Sequence, residues 1–277
     1  MLFMIILRGF VEVVGAIVSA IARLFGSAGN RATMTPLMHA ARDGDTGNVT
    51  QLLDSGADVN SATRLGDTAL MFAARKGHGE IVRLLIERRA DINALGADKK
   101  TALVDAIERG DSATAQFLVE KGADVNVGQP LVSSIRKSNL DITRLLLEHG
   151  AKPEYPAMRA AVSADKVDVI KWLIDAGADV NAHVNQVCGY QEDMPPLHIA
   201  LLFARRRSTA MVRLLLESGA DPNGAYFHEV RTDVTKPTVR SAVTPLDTGK
   251  NAPAEVKKLL TDAGAKRSRH GRVTVDE

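Results

Sequence analysis

The segment Ser55-Gly56-Ala57-Asp58-Val59-Asn60 returns as Arg89-Ala90-Asp91-Ile92-Asn93, as Gly122-Ala123-Asp124-Val125-Asn126, as Gly177-Ala178-Asp179-Val180-Asn181 and as Gly219-Ala220-Asp221-Pro222-Asn223. Degenerate copies stand at Gly150-Ala151-Lys152-Pro153 and Gly264-Ala265. The first three copies lie 33 residues apart. A period of that length means one supersecondary unit repeated, and such a unit buries its apolar face only by stacking on its neighbours. The chain must therefore be read as an array, and its function sought on the surface that the array presents.

Each unit opens on a Thr-Pro-Leu-like start, continues through a short apolar helix, a turn and a second helix with paired leucines, and ends on Gly-Ala-Asp. Repeat one shows Thr35-Pro36-Leu37, Ala40-Ala41, Gly44, Val49, Leu52-Leu53 and Gly56-Ala57-Asp58. Repeat two shows Thr68, Leu70, Ala73-Ala74, Gly77-His78, Ile81-Val82, Leu84-Leu85 and Ala90-Asp91 in register. Thr35 and Thr68 suit a helix N-cap, and Pro36 suits the first turn, where a missing N–H is harmless. The alanines let neighbouring helix pairs approach closely. Ile81, Val82, Leu84 and Leu85 make a stripe broad enough to touch both adjacent repeats. Gly56 and Gly122 stand where the second helix must stop in a left-handed conformation, and Arg89 replaces that glycine in repeat two, which predicts a less favourable helix end there.

In these residues the chain closely resembles the ankyrin repeat family, from about residue 30 to 265. Pro196-Leu197-His198-Ile199-Ala200 matches the family's Pro-Leu-His-x-Ala core. The resemblance implies an all-α ankyrin-repeat solenoid of about seven antiparallel helix pairs, each followed by a β-turn finger. The units begin near residues 33, 66, 99, 128, 155, 194 and 243. It divides the chain into an apolar N-terminal helix over 1–28, the repeat array over 29–265 and a basic, disordered tail over 266–277.

From one Gly-Ala position to the next the spacing is 33, 33, 28, 27, 42 and 45 residues. Repeats four and five have therefore lost the finger, and two long connections are inserted near repeats six and seven. One, from 182 to 194, holds His183, Cys188, Tyr190, Glu192 and Asp193. The other, from 224 to 243, holds Tyr226, Phe227, His228 and a Val/Thr/Arg alternation through Arg240. Connections of that length are functional or disordered, and aromatic residues are typical interface anchors, although Phe227 folding back onto repeat six is an equal reading.

Charge has to be read locally, because 35 Lys and Arg stand against 33 Asp and Glu. That balance gives no overall attraction to nucleic acid or to a membrane. A basic ladder nevertheless recurs at the end of the first helix: Arg42, Arg75 and Lys76, Arg109, Arg136 and Lys137, then Arg205, Arg206 and Arg207. In the family this position borders the concave groove, so these residues, with Arg64 in a finger and the Tyr226-Phe227-His228 loop, form the expected surface for another protein, one with an acidic segment. The competing explanation is that cations near a helix C-terminus are favoured by its dipole and merely solvate the surface. Asp54, Glu87, Glu120, Glu148, Asp175 and Glu217, at one offset in each copy, read as the solvent face.

No motif predicts catalysis, a cofactor or a metal. The single cysteine, Cys188, excludes an internal disulfide and a cysteine-built zinc site. His183, Cys188 and Asp193 lack a glycine-rich turn or oxyanion donor beside them. His39, His78 and His198 fall where the family uses histidine for internal hydrogen bonds.

Residues 1–25 are apolar apart from Arg8, Glu12 and Arg23, and as one helix would span roughly 37 Å. Three readings stay open: a membrane anchor or monotopic helix, with Val11, Val14, Ile17, Val18, Ile21, Leu24 and Phe25 on one face; a cleaved signal; and a helix capping the edge of repeat one. Arg23 and Arg31 would keep the repeats cytoplasmic if the segment inserts. The sequence thus predicts a non-catalytic, cytoplasmic scaffold or adaptor, the alternative being a membrane-tethered regulatory or structural element with the repeats as spacer.

Overall fold

The computed structural model describes residues 34–182, 194–203, 209–224, 226–230, 239–266 and 272–274. The apolar segment over 1–28 lies outside them, as do His183, Cys188, Tyr190, Glu192, Asp193, Arg205, Arg206 and Arg207. Seven helix pairs follow one another among the described residues: α1 (Pro36–Asp43) and α2 (Thr46–Asp54), α3 (Ala69–Lys76) and α4 (Gly79–Glu87), α5 (Ala102–Arg109) and α6 (Ser112–Glu120), α7 (Pro130–Arg136) and α8 (Leu140–Glu148), α9 (Tyr155–Ser163) and α10 (Val167–Asp175), α11 (Pro196–Phe203) and α12 (Thr209–Glu217), α13 (Pro245–Thr248) and α14 (Ala254–Asp262). The chain divides into two compact units, Met1–Lys137 and Ser138–Glu277.

Within the first unit α1 packs on α3, α3 on α5 and α5 on α7, while α2 packs on α4 and α4 on α6. The second unit repeats the scheme, α9 on α11 and α11 on α13 in one row, α8, α10, α12 and α14 in the other. Small side chains permit the approach: Ala41, Ala73, Ala74, Ala106 and Ala161 are fully buried. Leu70, Ile81, Leu85, Leu103 and Leu118 fill the space between repeats of the first unit, Met158, Ile170 and Leu173 that of the second. Each such side chain contributes about 1.5–3 kcal/mol on burial.

Helix starts follow the expected chemistry. The hydroxyls of Thr35, Thr68 and Thr101 accept from the amides of Met38, Met71 and Val104 at 3.3, 3.5 and 3.4 Å. Asp45, Asp111 and Asn139 cap second helices in the same way. Gly56 and Gly122 close α2 and α6 at φ 85° and 89°, and Arg89 holds the equivalent place with φ 64°.

The recurrent Asp-x-Asn has a double task. Each aspartate accepts from the amide of its asparagine, Asp58 from Asn60 at 2.9 Å and Asp179 from Asn181 at 2.8 Å. The asparagine side chain then brackets the next repeat. Asn60 accepts from the Asp91 amide at 2.7 Å and donates to the Arg89 carbonyl at 3.4 Å. Asn93 accepts from the Asp124 amide at 2.8 Å. Asn181 does the same with Asp221 and Gly219, and Asn223 with Lys266 and Gly264. Each bond adds about 0.5–1.5 kcal/mol and fixes repeat-to-repeat register.

The fingers are lost where the sequence places the loss, since α7 starts at Pro130 and α9 at Tyr155. In the long connection after α12 the helical array carries an insertion of strand. β1 (Tyr226–Val230) pairs antiparallel with β2 (Val239–Val243), Tyr226 facing Val243 and Val230 facing Val239. Of the tail expected to be disordered, Arg272–Thr274 forms β3, antiparallel to β2; apart from these residues and Lys266, the tail lies outside the described residues.

Histidine serves the packing twice. His78 donates from Nε2 to the Arg42 carbonyl of the preceding repeat at 3.1 Å. His198, 1% exposed on α11, donates from Nε2 to the Val243 carbonyl at 3.1 Å. His39 differs from expectation: it is exposed and makes no side-chain hydrogen bond among the described residues, because its side of α1 faces solvent.

Burial lowers the His198 pKa to about 4, the Val243 carbonyl opposing that shift. An unfolded chain takes up this proton below about pH 6.5, the folded one only below about pH 4. The contribution is therefore complete above pH 6.5 and lost as pH falls to about 4, up to about 3 kcal/mol at 1.36 kcal/mol per pH unit. Denaturant midpoints measured between pH 4 and 7 will fall with acid more steeply for the wild type than for His198→Gln. Arg89→Gly removes a left-handed non-glycine residue and will raise stability by up to about 1 kcal/mol, read from equilibrium urea unfolding.

Candidate functional site

The surface available for recognition in the first unit is built from three parts: the ends of α1, α3, α5 and α7, the fingers before α3 and α5, and the floor between them. Arg75 shows how the floor is made. It ends α3, and its guanidinium reaches the Asp105 carboxylate of α5 through two bonds, Nε at 3.1 Å and Nη2 at 3.0 Å. The same Nη2 meets Asp67, at the root of the finger, at 3.1 Å. Both acids are buried, Asp67 at 6% and Asp105 at 4% exposure. Burial pushes the Asp105 carboxyl above the usual carboxylate range, while the hydrogen bonds and charge of Arg75 pull it back. Asp67 also accepts from the Ala97 amide of the next finger at 3.3 Å. Arg75, one of the expected ladder residues, thus joins repeat two to repeat three while staying 38% exposed.

The other ladder residues divide in the same manner. Arg42 is paired with its neighbour Asp43 at 2.8 Å on an exposed surface, a contact of small energetic weight. Lys100, which follows the second finger, pairs with Glu108 at 2.7 Å. Lys76, Arg109, Arg136 and Lys137 are exposed and have no ion pair among the described residues. Arg109 lies over Gly77 of the preceding repeat, so close that a Cβ on that glycine would stand 2.5 Å from Nε. The helix dipole accounts for cations at these ends, yet four of them without an acid partner on consecutive inner helices leave a net positive edge.

Between the second finger and α5 lies an open cleft of about 410 Å³, lined by Arg75, Ala97, Asp98, Lys100, Asp105, Glu108 and Arg109. Every lining side chain but Ala97 is charged, unlike the apolar pockets that enclose small molecules. Among the described residues no group of three or more His, Cys, Asp or Glu could hold a metal ion. No described helix is long and apolar enough to cross a membrane.

Sequence reasoning missed Leu65, 68% exposed in the turn of the first finger, and Leu95, 49% exposed just before the turn of the second. The available signal was a Leu-Gly pair in each finger, an apolar side chain in a finger that needs none. Arg64 is exposed beside Leu65. Tyr226, Phe227 and His228 begin β1 in the second unit. Asp54, Glu87, Glu120, Glu148, Asp175 and Glu217 are all exposed, so the acidic ladder is a solvent face.

With this geometry in view, comparison with known proteins is informative. The family model for ankyrin repeats, in three copies, matches residues 2–96, 37–129, 93–156 and 135–225. The crystal structure of the human ASB11 ankyrin repeat domain is similar at 22% identity and a TM-score of 0.58, over 85% of this chain and 100% of that one. At that identity the likeness concerns the fold alone. No curated protein matches the chain.

Removing the Arg75 guanidinium strands two buried carboxylates. Arg75→Ala will cost about 2–3 kcal/mol, less than the 3–5 kcal/mol of a fully buried pair because the arginine is 38% exposed. Asp105→Asn in the same background will recover part of it, measured by a double-mutant cycle in urea.

Proposed function

The chain belongs to the ankyrin repeat family, and from that premise we propose that it acts by non-covalent recognition of another protein, with the finger-and-inner-helix face of the first unit as the contact surface. Ankyrin repeats generally mediate protein–protein interaction and are typically scaffolds without enzymatic activity. The observation that carries the reading is the unbalanced edge of Lys76, Arg109, Arg136 and Lys137 beside an open, charged cleft. Four exposed cations at the ends of three successive inner helices suit an elongated acidic segment, because each of the three repeats offers a meeting point and the rigid stack requires little reordering on binding.

Recognition by these residues is a rim interaction. It steers association and is weakened by salt. The hairpin after α12 and the residues from 183 to 193 offer the second unit as a further contact, in keeping with the aromatic residues of β1. A regulatory element tethered to a membrane is the alternative reading, favoured by the apolar run over residues 1–25. In that reading the repeats act as a spacer on the cytoplasmic side.

The test is an affinity capture from native cells with the full chain and with its Lys76→Glu, Arg109→Glu, Arg136→Glu, Lys137→Glu variant, each identified by mass spectrometry at several salt concentrations. The wild type will retain a stoichiometric protein at low salt and the variant will bind it about fourfold or more weakly, since each of the four rim pairs is worth about 0.2–1 kcal/mol. Equal retention by both would remove the recognition face assigned here, and recovery of membrane lipid alone would favour the tether.

A further inference from the structure

The repeats share one apolar scheme but not one set of polar devices, and repeat five lacks most of them. Its apolar packing is complete: Met158, Ala161, Val162, Val169, Ile170 and Leu173 are at most 1% exposed. The difference lies in how its two helices start and turn. In repeats one and three both helices carry a side-chain cap, Thr35 and Asp45 in one, Thr101 and Asp111 in the other. Repeat two keeps Thr68, and repeat four keeps Asn139. In repeat five Glu154 precedes α9 and Lys166 precedes α10, and neither makes a capping hydrogen bond. Lys166 moreover sets a cation at the positive end of a helix.

The turn between the two helices is unfavourable as well. Repeats one to three place Gly44, Gly77 and Gly110 there, at φ 83°, 81° and 85°. Repeat five holds Asp165 in the same left-handed region at φ 57°, where a Cβ is crowded and glycine is not. The Asp165 Oδ1 is buried and takes no hydrogen bond from a described residue. Repeat four has the same turn at Ser138, φ 58°, but retains its cap, the Asn139 side chain accepting from the Ile142 amide at 3.2 Å.

The junction with repeat four is thinner too. Asn60, Asn93, Asn181 and Asn223 each bond the backbone of the following repeat. Repeat four ends instead on Lys152-Pro153-Glu154, and Glu154 makes no side-chain hydrogen bond among the described residues. A carboxylate in the asparagine's place can accept from an amide but cannot donate to a carbonyl. What remains across the junction in the second unit is the packing of α10 on α8, with the Arg144 guanidinium of α8 4.7 Å from the centre of the Trp172 ring. Towards repeat six the ties are intact: Tyr155 donates to the Met194 carbonyl at 2.8 Å, and Asn181 brackets Gly219 and Asp221.

In a stack, the stability of one repeat is its own plus that of its junctions. We infer that repeat five is a built-in point of opening, at which α9 and α10 unfold and refold while repeats one to three stay folded. Opening there interrupts both helix rows of the second unit, since α9 packs on α11 and α10 packs on α8 and α12. The device needs no partner and is independent of the recognition face.

Trp172 is the only tryptophan of the chain and lies on α10, so its fluorescence reports repeat five, whereas circular dichroism reports all the helices. Equilibrium urea unfolding of the full chain will give a fluorescence midpoint about 1 M below the dichroism midpoint. Asp165→Gly combined with Lys166→Asp supplies the turn that Gly44-Asp45 and Gly110-Asp111 provide elsewhere. It will raise the fluorescence midpoint by about 0.5 M or more and the dichroism midpoint by less. Hydrogen exchange of the wild type, read by mass spectrometry, will find the amides of α9 and α10 protected about tenfold less than those of α5 and α6. Coincident midpoints overturn the assignment, as does equal protection of the two repeats. A gap between midpoints that the paired substitution fails to narrow also overturns it, because the early transition then has another origin.

Discussion

A helix pair of this chain cannot cover its own apolar face, and everything else in the structure follows from that deficit. The inner helices are only seven to nine residues long in the regular repeats, too short to persist alone in water. What holds them is the side chains that reach from one repeat into the next, with alanine wherever two helices must come close. Repeats so built contribute mainly nearest-neighbour terms, which is why a lost finger before α7 or an inserted hairpin after α12 leaves the helix pairs themselves recognisable. The array tolerates irregular connections because few of its contacts depend on them.

Polar groups set the register that apolar packing alone leaves loose. Asn60, Asn93, Asn181 and Asn223, each closing an Asp-x-Asn, bond the backbone of the following repeat, and Arg75 ties two buried acids from successive repeats. These two devices differ in strength and consequence. The asparagine bracket uses neutral groups at an exposed edge and adds modestly each time. The arginine clamp holds two buried carboxylates against a guanidinium that is 38% exposed, where desolvation of the acids offsets much of the attraction and the gain is a single geometry more than added stability. It fixes the floor from which the second finger projects, since Asp67 also binds that finger at Ala97.

The fold was legible in the sequence because a repeat writes the same physical requirement several times. Threonine caps, turn glycines and paired leucines each recur at one offset, so accidental occurrence is ruled out by position. Arg89 shows how fine that reading was: its substitution for glycine predicted an unfavourable helix end, and the backbone takes the left-handed conformation all the same. The site was less legible. Arg75 and Lys76 look alike in a ladder of cations, but only the structure reveals that Arg75 is bound to Asp67 and Asp105 while Lys76 is exposed. Asp105 itself, an acid within the apolar run Ala102–Ile107, was the missed signal, because a buried carboxylate there demands a cation nearby. Leu65 and Leu95 escaped for the opposite reason: an apolar residue in a finger belongs to no helical period that would show which way it faces.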